Sequence, residues 1–127
     1  MASELRVNTL KDASGNNSVA TAVVFNGTSK AWVNVNGTGT PSFNDSYNAS
    51  SLTDVGTGSR RISYTTNMNN ANYAVASACF SDRVSLIGAQ SDDTYTSSQT
   101  QYRNNDSRNA NFVDTDRELF SVHGDLA

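Results

Sequence analysis

Residues 31–36, AWVNVN, alternate apolar and polar side chains without a break. Ala31, Val33 and Val35 fall on one side; Trp32, Asn34 and Asn36 fall on the other. Successive side chains of an extended chain point to opposite sides, so this pattern belongs to a strand with one face buried. The pattern recurs. ELRVNTL (4–10) sets Leu5, Val7 and Thr9 against Glu4, Arg6 and Asn8. RRISYTT (60–66) sets Ile62 and Tyr64 against Arg61 and Ser63, and RELFSVHG (117–124) sets Leu119 against Glu118 and Phe120. VATAVVF (19–25) reads as another strand. NYAVASACF (72–80), apolar on both faces, reads as a central strand, and DTYTSSQTQYR (93–103) as one long polar strand. Turn clusters separate these runs at 12–18, 26–29, 36–40 and 54–59, and two of them contain Asn-Gly, which suits tight hairpins. Gly56 and Gly58 read as a hairpin. The only helix the pattern allows is a short turn around Asn67–Ala71. The expected fold is all-β: an antiparallel β-sandwich or jelly-roll-like domain with an N-terminal extended arm.

At 127 residues the chain has room for one domain. Its core must be lean, because aromatic residues make up 9% and Ser, Thr and Asn together exceed a third. With two Glu and two Lys, the composition argues against a helical bundle. The first twenty residues bury too little apolar surface to order on their own. Residues 1–18 are therefore read as an arm or strand for attachment or oligomerisation, and 19–127 as the sandwich. Leu5, Val7 and Leu10 are the arm's candidate interface residues. Trp32 joins them, because it lies opposite Val33 and Val35 and can meet a neighbouring subunit; the simpler reading is that it fills one side of the sandwich.

The net charge is -3 and the nine basic residues are scattered, with Arg60-Arg61 the one adjacent pair. A nucleic-acid binder needs a concentrated basic footprint, so no nucleic-acid partner is expected. No apolar run approaches a membrane span, and no leader-like stretch opens the chain; a soluble chain with no membrane partner is expected. One cysteine, Cys79, allows no internal disulfide and reads as a buried, inert thiol.

Catalytic patterns are weak. His123 is the only histidine, with Ser121 and Asp125 nearby in sequence, and reads as a surface or interface residue rather than part of a triad. NGTGT (36–40) has the glycines of a phosphate loop without its lysine. Asp92-Asp93 and Asp114-Thr115-Asp116 read as solvated loop carboxylates before a cation site or a glycosidase pair. Six Asn-x-Ser/Thr sequons reflect composition. No enzyme activity, catalytic residue, metal or cofactor is expected.

Two stretches carry a family resemblance. The opening SELRVNTLKDASGNNS (3–18) resembles an N-terminal prefix of many small phage structural proteins. Residues 30–75 resemble tail-fibre-type virion proteins of marine and cyanobacterial phages, through Lys30-Ala31-Trp32, Asn36-Gly37-Thr38-Gly39, Ser46-Tyr47-Asn48, Ser50-Ser51-Leu52-Thr53-Asp54, Gly56, Gly58, Met68 and Tyr73. Beyond Phe80 the resemblance stops. It implies a β-stranded virion component that forms a homotrimer and contacts other tail or capsid proteins. In that setting Tyr95, Tyr102 and Arg103 are candidate receptor-facing residues for a host-surface glycan, against the plainer reading of a solvated sheet. The alternative function is a capsid decoration (cement) protein or small tail adaptor, whose N-terminal strand would lie across capsid subunits.

Overall fold

The computed structural model describes residues 3–80, the backbone of 84–87, and 93–127. Its elements are β1 (Thr9–Lys11), β2 (Ser18–Ala20), α1 (Thr21–Gly27), β3 (Ala31–Asn36), β4 (Ser42–Tyr47), β5 (Ala49–Gly56), β6 (Ser59–Tyr64), β7 (Ala74–Cys79), β8 (Val84–Ile87), β9 (Gln99–Asp106) and β10 (Glu118–His123). β3 to β10 form two four-stranded antiparallel sheets, ordered β4-β3-β10-β7 and β5-β6-β9-β8. The fold is all-β and sandwich-like, as expected. No helix among the described residues is long and apolar enough to cross a membrane.

The alternation of β3 holds, with Ala31, Val33 and Val35 buried. β10 supplies Phe120 and Val122 to the same interior, and β6 supplies Ile62 and Tyr64 from the opposite sheet. Tyr102 of β9 stacks on Phe120 of β10 with ring centroids 5.3 Å apart, so the two inner faces meet there. Tyr73 completes a second aromatic group, edge-on to Tyr64 at 6.0 Å and stacked on Tyr95 at 4.4 Å.

One residue, Asn48, carries the chain from β4 in one sheet to β5 in the other. Its φ is 54°, a conformation asparagine tolerates better than most residues. The side chain holds that corner: Nδ2 donates to the Lys30 and Thr66 carbonyls (2.9 and 3.0 Å), and Oδ1 accepts from Thr66 N (2.6 Å). The β5–β6 hairpin forms as expected, with Gly58 at φ 62°.

Four segments differ from the pattern. VATAVVF is not one strand: only Ser18–Ala20 pairs, with Thr9–Lys11, and Thr21–Gly27 is helical. Among the described residues no further strand pairs with this segment, and a helix satisfies backbone groups internally where an unpaired strand leaves them to water. The exposed N-terminal unit therefore extends past residue 18, and 26–29 ends α1 instead of forming a hairpin. β7 lies at a sheet edge, not its centre; its apolarity comes largely from alanines, which have little surface to bury. Cys79 is accordingly half-buried. Residues 93–103 are not one strand, because the chain turns at 96–98. There Thr96 Oγ1 accepts from Ser98 N (3.3 Å) and Gln99 N (3.2 Å), diverting the backbone from the ladder. Asn67–Ala71 is not helical; Met68 instead bridges Leu126.

Candidate functional site

Three surfaces or clusters stand out: an apolar N-terminal unit, a buried charge cluster and the outer face of the β4-β3-β10-β7 sheet. In the N-terminal unit Leu5, Val7 and Leu10 are all exposed, Leu5 by 80%. α1 adds Val23, Val24 and Phe25, which the strand reading had missed as a group; Phe25 is 54% exposed and no residue of α1 is buried. A seven-residue helix with two adjacent valines and no side-chain cap is marginal alone. Lys30 tethers it. Its buried side chain donates to the Phe25 carbonyl and to Thr28 Oγ1 (2.9 Å), with Nζ 4.2 Å from the Phe25 ring centroid. A cation suits this place, because carbonyls at a helix C-terminus carry partial negative charge.

The receptor-facing triplet does not form a surface. Tyr102 is fully buried and donates to Glu118 Oε2 (2.6 Å). Tyr95 is half-buried and donates to the Tyr73 carbonyl; burial and then the Tyr73 hydroxyl push it up to about 12. Arg103 is paired through Nε with Asp93 (2.9 and 3.0 Å), and its guanidinium lies 5.0 Å from the Phe112 ring centroid. A polar composition concealed this burial. Thr100 and Gln101 are also buried, with Gln101 Nε2 donating to Asp93 Oδ1 (2.8 Å) and Ser59 Oγ (3.2 Å).

The charge cluster closes one end of the sandwich. Arg60, 1% exposed, donates to Asp54 Oδ1 (3.0 Å), Asp114 Oδ1 (2.7 Å) and the carbonyls of Gly37 (2.5 Å), Gly56 (2.7 Å) and Ser59 (3.0 Å). Glu118 is fully buried and accepts from Tyr102 and Asn104. Burial pushes Glu118 above the usual carboxylate range, against its hydrogen bonds and the Arg60 charge. Burial acts the same way on Asp114, but hydrogen bonds from Gly58 N (2.7 Å) and Arg60, with the Arg60 charge, bring it below that range. Gly37 packs so closely on Glu118 that a Cβ there would lie 2.1 Å from Oε1. Glu118 and Arg60 are sealed from solvent while Asp54 and Asp114 stay partly exposed, and the cluster fastens the loops around them. The alternation at 117–124 placed Glu118 beside Phe120; its partners Tyr102 and Asn104 come from β9 and could not be read from that pattern.

The remaining chemical candidates are dispersed. Asp114 is engaged by Arg60 and Asp93 by Arg103, while Asp92 lies outside the described residues. Ser121 Oγ and His123 Nε2 are 3.5 Å apart on the outer face of β10. Among the described residues no three His, Cys, Asp or Glu side chains are grouped to hold a metal.

Trp32 is on that same outer face, 37% exposed and apart from the arm residues in the chain's architecture: it belongs to the sandwich, they to the N-terminal unit. Tyr47 is its direct cross-strand partner and is 54% exposed. A groove of about 460 Å³ runs past Trp32 and Asn34 over Ser121, Leu119, Ala76 and Ala78. No family model matches the chain, and neither the curated proteins nor the solved structures contain a significant match to it.

Proposed function

We propose that the chain is a structural component of a phage particle, of the tail-fibre type, which assembles as a homotrimer through its N-terminal unit and presents the sandwich outward. The observation that carries this reading is the N-terminal unit itself. Leu5, Val7, Leu10, Val23, Val24 and Phe25 are all exposed on it. Such a concentration of exposed apolar side chains marks an association surface. A closed symmetric assembly covers the same patch on every copy. The resemblance of residues 3–18 and 30–75 to tail-fibre-type virion proteins supports the setting.

Light scattering on the purified chain tests the assembly. The expected mass is about three times 13.6 kDa. Phe25→Asp should reduce it to that of one chain while the β-sheet circular dichroism persists. A parental chain that stays monomeric at every concentration refutes the homotrimer. If such a monomer binds whole particles and loses binding when residues 1–18 are deleted, the decoration reading replaces the fibre reading.

A further inference from the structure

We propose that the outer face of the β4-β3-β10-β7 sheet binds a neutral oligosaccharide, with Trp32 and Tyr47 stacking on pyranose rings and Asn34, Asn44 and Asp45 hydrogen-bonding to hydroxyls. This deepens the role proposed above and rests on it for the biological setting of the glycan; the site itself stands on its geometry.

The strand pairing builds the site. Ala31, Val33 and Val35 point inward, so Trp32 and Asn34 point outward. Trp32 is opposite Tyr47 on one side and Ser121 on the other; Ser121 is in turn opposite Ala76. The next row is Asp45, Asn34, Leu119 and Ala78. Directly opposed residues share a face, so the two aromatic residues are neighbours on β4 and β3, and the small residues continue the row on β10 and β7. Ser121, Ala76 and Ala78 leave a trough on the β10–β7 side of Trp32, which borders it; Tyr47 lies on the other side of Trp32. Next to the rings, a register shift after Asn34 brings Asn44 Nδ2 to Asn34 Oδ1 (3.1 Å). Asp45 Oδ1 accepts from Ser46 N (2.8 Å). Asp45 pairs directly with Asn34 and so shares its face, and the carboxylate and two amides together supply donors and acceptors suited to vicinal hydroxyls.

Size and charge choose among occupants. An aromatic side chain can bury about 150–250 Å². At 37% and 54% exposure, Trp32 and Tyr47 together offer roughly 200 Å² of ring surface. A stable protein interface needs about 800 Å² per partner, which these two rings alone do not supply. The groove that Trp32 and Asn34 border on the β10–β7 side, about 460 Å³, matches the scale of small-ligand sites, about 300–1,000 Å³, and Tyr47 extends the surface beyond Trp32. None of the four strands carries Lys or Arg, which disfavours phosphorylated, sulfated or nucleic-acid ligands. An apolar ring face beside neutral amides is the chemistry that takes an uncharged sugar, which has an apolar C–H face and a polar edge.

The test uses the chain's single tryptophan, which is Trp32 itself. The purified full chain is titrated with chitotetraose, cellotetraose and maltotetraose to millimolar concentration while Trp emission is followed. A saturable change with at least one of them is expected. Tyr47→Ala should weaken that binding about fivefold to tenfold with an unchanged melting temperature, since the ring is exposed. Trp32→Ala, followed by calorimetry, should abolish it. No saturable response to any of the three sugars overturns the proposal, as does equal binding by Tyr47→Ala. An emission shift that depends on protein concentration without sugar also overturns it, by showing that a second copy covers the face. A chain that binds sugar yet stays monomeric refutes the trimer and leaves this site standing; a trimer that ignores all three sugars does the reverse.

Discussion

Replacing Gly37 with Ala probes how tightly the sandwich is pinned at the charged end. A Cβ at residue 37 would meet Glu118 Oε1 at 2.1 Å, Glu118 Cδ at 2.7 Å and the Thr115 carbonyl oxygen at 2.9 Å. Neither side yields easily. Glu118 is held by Tyr102 and Asn104, and the Thr115 carbonyl by the Gly37 N–H itself (2.8 Å). The Gly37 carbonyl is also fixed, by Arg60 Nη2. Forcing one methyl into a packed interior costs about 1–3 kcal/mol. Stretching the Gly37–Thr115 hydrogen bond adds about 1 kcal/mol. The expected loss is about 2–4 kcal/mol, or roughly 10 °C in Tm for a domain of this size. Urea unfolding followed by circular dichroism measures it. Gly27→Ala is the control, because nothing lies within 4 Å of a Cβ there. The decisive comparison is Gly37→Ala in a Glu118→Ala background. Removing the carboxylate opens the space, so the two losses should fall short of additive by about 1 kcal/mol or more. Additive losses, or a Gly37→Ala chain as stable as Gly27→Ala, would refute the close-packing argument.

Three further outcomes follow from the same structure. Glu118 has a folded pKa raised above its ordinary 4.5, so its stabilising contribution is complete below that pH and is lost as pH rises through the folded value. The free energy of unfolding should therefore lose part of its decline above about pH 5 in Glu118→Gln, and an unchanged slope would reject that assignment. Asp114 has the opposite sign: its contribution is present above the ordinary 3.8 and is lost as pH falls through the lower folded value. Asp114→Asn should cost about 1–2 kcal/mol at neutral pH by removing a partner of buried Arg60, a modest figure because the carboxylate is 39% exposed and screened by water; the cost should shrink in strong acid. Lys30→Met should free α1 from the start of β3 and make residues 21–28 a site of limited proteolysis, while the released sandwich keeps its cooperative unfolding; equal protease resistance would count against the tether.

The elements legible in the sequence were those whose burial obeys a simple period. Ala31, Val33 and Val35 alternate with polar residues, and their strand was found with its face correct. Gly56 and Gly58 marked the β5–β6 hairpin for the same reason: local backbone demands fix local residue choices. The misreadings occurred where partners from elsewhere decide. VATAVVF suits a strand by composition, yet β2 ends at Ala20 and the rest joins no ladder among the described residues. Tyr102 and Arg103 looked solvated because their neighbours are Gln, Thr and Asn, but buried Thr100, Gln101 and Asn104 are satisfied by other strands and loops. Gly37 read as a turn glycine, whereas its requirement is the approach of Glu118, 81 positions along the chain by the difference 118 − 37. Trp32 was found by its place in the alternation; Tyr47, its partner, could be found only from the register.

The polar interior also explains why the exposed apolar residues are separable from folding. Among the described residues ten buried apolar side chains form the core, alongside eight buried polar or charged ones, Lys30, Ser59, Arg60, Thr100, Gln101, Asn104, Thr115 and Glu118. Buried ionic groups contribute little net stability, but their directional bonds select one arrangement of loops. Arg60 alone joins β5 and its turn, the β3–β4 loop and the segment before β10 through Asp54, Gly56, Gly37 and Asp114. At the opposite end of β6, the Tyr64 and Tyr73 hydroxyls both meet Thr100 Oγ1. The sandwich is thus fastened at both ends by groups pointing inward, and none of these fastenings uses Phe25, Leu5, Trp32 or Tyr47. Substitution of those four should move association or ligand binding and leave the free energy of unfolding within about 0.5 kcal/mol of the parent, the usual range for surface positions. A large fall in Tm for any of them would mean that the same residue holds the fold, and the separation of assembly and binding from stability would fail at that position.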